Sequence, residues 1–534
     1  MPILHVCHLD GSEHRLEFET GLSVREVLDG TPYRVRAACG GTGACGACQV
    51  RWLAGEANPP GLAEYQKLTP EERAAGERLA CQLRPRGDVR ILLDHPAPPS
   101  RWRSIDPADL RPAPGTRPEL SQHVYGVAVD LGTIHIRVAL WDRKRGRRIA
   151  SRRGPNPQMS FGADVLNRLE AARDRPGRAE ELARLARTAI IQAVRDILKR
   201  DVGEVTPMLA EIGQVVVVGN TAMLALLGGR GIAELLAPEH WQSRIEVRPR
   251  EPEPWHRDWF MPNAEIILAP PVAGFIGSDL AADLIACALT DEPAPAMLID
   301  VGTNSEIALW DGERLRLTSA PGGPAFEGVG IRHGMPAEDG AIHRVHAGPD
   351  GGFRLDTLAG EAARGYCGSG LADAIAVLLA AGRIKPSGRF ASSPGPDGLR
   401  LDPDNPRTAL TAADVDAFLR AKASLSAAMA TLLAEAGLDW SDLARLVVCG
   451  AFGRQLDLDH ARATGLLPAL DPARIELLAD ASLAGCERAL LSADGIEYFD
   501  RIASKSDTIN LSWIEGFEDR YIDHLRLRPV PPLR

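Results

Sequence analysis

The sequence predicts a multidomain chain that joins an α+β unit to a larger α/β body, and three observations carry that prediction. A glycine-rich loop near the start holds Cys39, Cys45 and Cys48 within ten residues, and Cys81 follows thirty-three positions after Cys48. A stretch from His95 to Leu120 then holds seven prolines and no apolar periodicity. The rest repeats itself. An apolar strand ending in Asp-x-Gly-Thr, followed by a second apolar strand, occurs at Asp130-Leu131-Gly132-Thr133 and again at Asp300-Val301-Gly302-Thr303-Asn304. The expected division is 1–93 for the cysteine unit, 94–122 for a linker, 123–206 for the first part of the repeated body and 207–534 for the remainder.

The elements of the cysteine unit follow from local signals. Residues 3–8 and 14–18 alternate as strands across a turn at Asp10-Gly11. Ser23 is placed to cap a short helix to Leu28, and Thr69 with Pro70 opens another. Gln49 to Leu53 and Val89 to Leu93 complete a sheet around the cysteine loop. Four glycines among the seven residues between these cysteines leave little side chain to pack. They suit backbone that must wrap an iron–sulfur cluster at close range, whereas a structural zinc site usually shows two short-spaced pairs. Cys7, Cys287, Cys367, Cys449 and Cys486 are scattered and read as small core residues.

Bulk composition narrows the function classes. At 534 residues the chain has material for several cores. A formal net charge of −10 argues against broad nucleic-acid binding. No apolar run of about eighteen residues predicts a membrane span. The N-terminal residues lack a basic, then apolar, export pattern. Nine cysteines without such a pattern suit a reducing compartment, so a cytoplasmic protein is expected.

The repeated turns have a specific chemistry. An Asp at the end of a buried strand is costly unless it meets a cation or hydrogen-bond donors. Gly132 and Gly302 allow close backbone approach, and Thr133, Thr303 and Asn304 offer groups for phosphate oxygens. Two such turns facing one another make a Mg2+–phosphate clamp, organised by Asp130 and Asp300. A strand running into Gly450-Ala451-Phe452-Gly453 can seat an adenosine, and Gly368-Ser369-Gly370 opens an apolar helix whose start can serve an anion. His135 reads as an ordinary strand histidine.

These features resemble known families. The C-x5-C-x2-C-x32-C spacing resembles the adrenodoxin and putidaredoxin branch of the 2Fe–2S ferredoxins, whose β-grasp fold matches the strands and helices of residues 1–93. The paired phosphate turns and the adenosine turn resemble the ribonuclease-H-like ASKHA superfamily of acetate and sugar kinases, heat-shock chaperones and actin. Nearly the whole chain resembles the reductive activators of corrinoid proteins. The resemblance runs through the cysteines, Asn156-Pro157-Gln158 with Gly162-Ala163-Asp164-Val165, Val218-Gly219-Asn220-Thr221, Pro271 to Asp279, Asp300 to Glu306, Gly323 to Gly328, Cys367 to Gly370 and the Gly450 turn.

The resemblance implies a 2Fe–2S cluster on Cys39, Cys45, Cys48 and Cys81, with Mg2+ and ATP in the cleft. It also implies transfer of one electron to an inactive Co(II) corrinoid protein of a methyltransferase system, to regenerate Co(I). The upstream donor would be a ferredoxin, flavodoxin or reductase, and a homodimer is compatible with it. Two departures bear on ATP turnover. The family's Gly-Thr-Thr-Thr is Gly132-Thr133-Ile134-His135 here, and its Gly-Gly-Phe-Gly is Gly450-Ala451-Phe452-Gly453. Glu306 and Glu327 are candidate general bases by position. The alternatives are an ATP-driven donor to another low-potential enzyme, and a nucleotide-sensing redox scaffold without hydrolysis.

Overall fold

A computed structural model describes the chain apart from residues 30, 32, 36–42, 44–45, 47, 95, 97–101, 106–122, 163–164, 176, 199–205, 292–293, 303, 323, 329, 349–350, 396, 451, 453–454, 493 and 534. The N-terminal sheet has five strands. Ile3–Cys7 pairs antiparallel with Glu13–Glu17 and parallel with Pro85–Leu92, which pairs antiparallel with Gln49–Ala57; Glu77–Leu79 closes the far edge. Ser23 caps helix Val24–Asp29 as expected, with Glu26 bonding back to it in return, and Thr69 and Glu72 cap Pro70–Ala74 in the same way. Helix Leu62–Lys67 and strand Glu77–Leu79 were not expected. Each is short, and the helix is fixed by a tertiary contact: buried Glu64 binds Arg78 through both carboxylate oxygens.

The repeat becomes two six-stranded sheets that share the connectivity of five strands, while the sixth strand comes before the meander in one and near the end of the chain in the other. In the first, Tyr125–Leu131, His135–Asp142 and Arg147–Pro155 form an antiparallel meander. Ile212–Gly219 returns parallel to its first strand, and Glu265–Leu268 pairs parallel beyond it. In the second, Ala296–Val301, Ser305–Trp310 and Leu315–Ala320 form the meander, with Arg445–Gly450 and Ile475–Leu477 parallel beyond its first strand. The division expected at 206 therefore falls inside the first body. Helix Arg178–Leu198 is the crossover that carries the chain back to the same sheet, as a parallel return requires. The proline-rich segment is also less separate than expected, since Arg103–Ser104 pairs with Arg153 and Arg152 at the edge of that sheet.

Helices Ser278–Cys287 and Ala481–Leu491 lie between the two sheets. One apolar core there joins Ala128, Ala139 and Val216 of the first body to Leu298, Ala308 and Val447 of the second. The outer faces bury separate cores, the first against helix Arg178–Leu198 and the second against helix Ala412–Glu435. Helix Ala412–Glu435 is long and apolar enough to cross a membrane by composition, but most of it is buried in that core. The N-terminal domain meets the first body through charges: Arg34 and Arg152 share Asp196, and Arg147 binds Glu26.

Candidate functional site

Cys48 immediately precedes strand Gln49–Ala57, and Cys81 lies just after strand Glu77–Leu79. Gln49 pairs with Leu79, so the ladder itself makes the two cysteines neighbours. Ala80 N–H donates to the Cys48 carbonyl at 2.7 Å. Both thiols are buried, and contact with Cys81 followed by burial pushes the Cys48 thiol well up. Gln82 Nε2 donates to Cys81 Sγ at 3.5 Å. Gly43 and Gly46 take φ of +82° and +69°, and a Cβ on Gly43 would lie 2.7 Å from Ala63 Cβ. Paired thiols beside a loop of left-handed glycines fit an iron–sulfur cluster. Cys39 and Cys45 lie outside the described residues.

Asp130 and Asp300 occupy the same place in the two sheets, one residue before the end of each first strand. A Cβ on Gly132 would sit 2.6 Å from the His135 carbonyl, and one on Gly302 3.1 Å from that of Asn304, so both turns are tight. Two asparagines hold the first turn. Asn156 Nδ2 donates to the Gly132 carbonyl at 2.9 Å, and Asn220 Nδ2 donates to Thr133 Oγ1 at 2.9 Å. Asn220 also caps helix Thr221–Gly228. Gly277 packs against this junction, where a Cβ would fall 2.4 Å from Asn220 Cα and 2.5 Å from Asp279 Oδ1. Thr303 lies outside the described residues.

Gly450 has φ +85°, and a Cβ there would lie 2.4 Å from Asp300 Oδ1. The strand pairing that sets Val301 opposite Gly450 brings this turn to the second aspartate. Phe452 is buried with its ring 5.0 Å from that of Phe326, so its contact is with the core. Ala451 and Gly453 lie outside the described residues. Gly368 and Gly370 allow the start of helix Gly368–Ala380 to touch backbone: their Cβ atoms would lie 2.1 Å from the Phe326 carbonyl and 1.9 Å from that of Ile342. Ser369 is buried, with Oγ 3.3 Å from Cys367 Sγ. These glycines serve packing in addition to any ligand.

Sequence reasoning did not single out most of the charges around these turns. Asp279 and Asp283 project from helix Ser278–Cys287, near Asp300 and Glu306. Burial, then Asp300, pushes Asp279 up to about 8, and burial, then Asp130, pushes Asp300 up to about 6. Burial also raises Asp283 and Glu306 well above the usual carboxylate range. Arg137 Nη1 binds Asp130 Oδ2 at 2.9 Å, and Arg137 Nε lies 2.6 Å from Asp480 Oδ1 at the start of helix Ala481–Leu491. Burial, then Arg137, drives His135 down to about 3, leaving it neutral as an ordinary strand histidine. The carboxylates offer hard oxygen donors, but they are not gathered as a ligand set: among the described residues the one group of three or more such donors with ligand atoms within 4.8 Å of one another is Asp373, Asp457 and His460. One signal was available: Asp279 ends the segment from Pro271 that resembles the family, although its carboxylate was not read as functional.

Comparison with known proteins agrees with this geometry. Residues 7–86 match the 2Fe-2S iron–sulfur cluster binding domain, 125–292 the RACo middle region, and 294–530 the C-terminal ASKHA domain of RACo. The corrinoid activation enzyme RamQ of Eubacterium limosum is 28% identical over 431 residues, covering 76% of this chain and 70% of that protein. The [Co(II) methylated amine-specific corrinoid protein] reductase of Methanosarcina barkeri is 28% identical over 444 residues, covering 75% and 77%. A solved structure titled reductive activator for corrinoid, iron-sulfur protein superposes with a TM-score of 0.69 at 26% identity, covering 98% of each chain. With a 2Fe–2S domain at its N-terminus and both family-specific regions in order behind it, the chain belongs to the family of reductive activators of corrinoid proteins.

Proposed function

We propose that this protein is an ATP-dependent activator that reduces the corrinoid of a methyltransferase's carrier protein from Co(II) to Co(I). The observation that carries the reading is the joining, in one chain of this family, of a cysteine-bearing domain to a cleft with paired Asp-x-Gly-Thr turns and an acidic pocket. When bound, the 2Fe–2S cluster supplies one electron to the partner's cobalt, and Mg–ATP supplies the drive for an uphill step, in which about 59 mV corresponds to a factor of ten. An upstream ferredoxin, flavodoxin or reductase would refill the cluster.

Cys39, Cys45, Cys48 and Cys81 are the ligand set of this reading. The N–H that Gln82 directs at Cys81 Sγ would tune the potential, as hydrogen bonds to cluster sulfurs do. Asp130 and Asp300 are the essential carboxylates of the cleft, with Gly132, Thr133, Gly302, Thr303 and Asn304 beside the phosphates. Gly450, Ala451, Phe452 and Gly453 form the adenosine turn, Phe452 acting through its packing on Phe326. Gly368, Ser369 and Gly370 open the helix behind it. In this reading residues 1–93 carry the electron, 94–122 connect and the rest is the ATPase, with a homodimer as the assembly to test.

The test follows the Co(II) to Co(I) absorbance change anaerobically, with excess reductant, Mg–ATP and a corrinoid protein encoded nearby. ATP-dependent Co(I) formation is expected. Cys45→Ser should abolish electron transfer yet keep ATP binding. Equal rates with and without ATP would remove the coupling. No Co(I) with cluster and partner intact would leave the donor to another enzyme or the redox scaffold.

A further inference from the structure

A group of charges outside the paired turns joins three elements of the second body. Asp373 is fully buried on helix Gly368–Ala380. Its Oδ2 accepts from Val345 N–H at 3.3 Å and lies 3.5 Å from Arg344 Nη1, both residues belonging to strand Ala341–Ala347. Its Oδ1 lies 3.0 Å from His460 Nδ1 on helix Leu458–Thr464. Arg344 Nη1 is also 3.0 Å from Asp457 Oδ2, and Asp457 Oδ1 accepts from the N–H groups of Asp459 and His460 at 3.0 Å, which caps that helix. A buried carboxylate is tolerated only with donors or a cation, so Asp373 ties the strand and the second helix to its own.

The two helices joined in this way both adjoin the nucleotide turns. Helix Gly368–Ala380 opens with Gly368-Ser369-Gly370, and helix Leu458–Thr464 begins eight residues after Gly450. A second joint between the same segments is apolar. The Phe326 ring meets that of Phe452 in the Gly450 turn, and the Phe326 carbonyl leaves no room for a Cβ on Gly368. Arg344 faces both carboxylates of the charged group, so Asp373 and Asp457 are neutralised by a side chain of the chain itself.

We propose that Arg344, Asp373, Asp457 and His460 form an ionic joint that sets the Gly450 turn against the start of helix Gly368–Ala380. In the nucleotide reading, on which this rests, they are positioning residues for the adenosine end of ATP and touch no phosphate. Arg344 suits the centre of the joint because its planar fork can serve two carboxylates at once. His460 is the titrating member. The hydrogen bond to Asp373 raises it above its ordinary value of 6.5 against the effect of burial, with Asp457 adding to the rise and Arg344 opposing it. Asp459 and Arg462, on its own helix, pair with each other at 3.0 Å. A histidine raised by a folded-state partner gives its full contribution below its ordinary value and loses it as pH rises through the raised one, so the joint loosens towards alkaline pH.

The test titrates Mg–ATP, Mg–ADP and Mg–tripolyphosphate into the cluster-loaded full chain by calorimetry. Tripolyphosphate carries the phosphates without the adenosine. His460→Gln and Arg344→Ala should each weaken ATP and ADP by the same factor, about threefold or more, and leave tripolyphosphate unchanged. Arg344→Lys should recover part of the loss. Wild-type affinity for ATP relative to tripolyphosphate should fall as pH rises through the His460 titration, and in His460→Gln that ratio should not vary with pH. Unchanged ATP affinity in both variants would overturn the proposal, as would an equal loss for tripolyphosphate, which would mean general damage to the cleft. Stoichiometric Zn2+ held by the purified chain and lost in His460→Gln would overturn it too, in favour of a metal site. A wild-type chain that binds neither nucleotide would sink the nucleotide reading, while a melting temperature that falls above the His460 titration in wild type and not in His460→Gln would leave the joint standing.

Discussion

The two bodies are built alike and charged differently. Each has a meander whose first strand ends on an aspartate and a tight glycine turn, and each receives two parallel strands beyond it. In the first body the aspartate is neutralised by Arg137 from its own hairpin and the turn is tied down by Asn156 and Asn220. In the second body the equivalent position is Glu306, and the aspartate sits in an unneutralised pocket under the Gly450 turn. Duplication thus preserves backbone geometry while one residue per hairpin decides which aspartate faces a cation across the strand and which faces another carboxylate.

The largest expected effect falls on the two aspartates. Asp300→Ala and Asp130→Ala should each cut Mg–ATP hydrolysis roughly 100-fold or more without changing the cluster spectrum. Full ATPase activity in both variants would move the nucleotide elsewhere and end the comparison.

Gly450→Ala comes next. At φ +85° with Asp300 Oδ1 2.4 Å from the added Cβ, the variant carries both backbone strain and a clash. It should destabilise the chain by about 1–3 kcal/mol in denaturant unfolding. The milder control is Gly302→Ala, whose nearest contact is 3.1 Å. Equal losses in the two variants would mean that the Gly450 turn does not crowd the second aspartate.

Much of this was legible in the sequence, and the limits have physical causes. The cysteine spacing, the Ser23 and Thr69 caps and the duplicated Asp-x-Gly-Thr are local signals, and the described part of each reappears in the fold. The division at 206 was misread because a long helix before a strand looks like a boundary, whereas here it is a crossover within one sheet. Arg137 was invisible as a partner of Asp480, because the two meet only after helix Ala481–Leu491 packs between the sheets. Its pairing with Asp130 was readable in principle, since hairpin register sets it, but the one-residue difference between the two turns hid that Glu306 is its counterpart.

Asn220→Ala should have a smaller effect confined to the first body. It removes the Thr133 contact and the cap of helix Thr221–Gly228, together about 1–2 kcal/mol of stability. Unchanged stability of Asn220→Ala in denaturant unfolding would mean that the asparagine does not hold the first turn.

The smallest expected effect comes from Ile134→Thr, which restores a hydroxyl to the first turn. Ile134 is half-buried, and its carbonyl accepts from Asn156 N–H at 2.8 Å, so the backbone is already fixed and the substitution mainly exchanges a side chain. One new neutral hydrogen bond contributes about 0.5–1.5 kcal/mol, so ATP should bind roughly two- to tenfold more tightly by calorimetry. The gain stays modest because Thr133 Oγ1 remains engaged by Asn220 and Arg137 remains the cation on that side. In Arg137→Ala the same Ile134→Thr change should not restore wild-type affinity, since a hydroxyl cannot supply the missing charge. Full rescue of Arg137→Ala by Ile134→Thr would show that the first turn works by hydrogen bonding alone, and the contrast between a half with an arginine across from its aspartate and a half with a glutamate there would carry no functional weight.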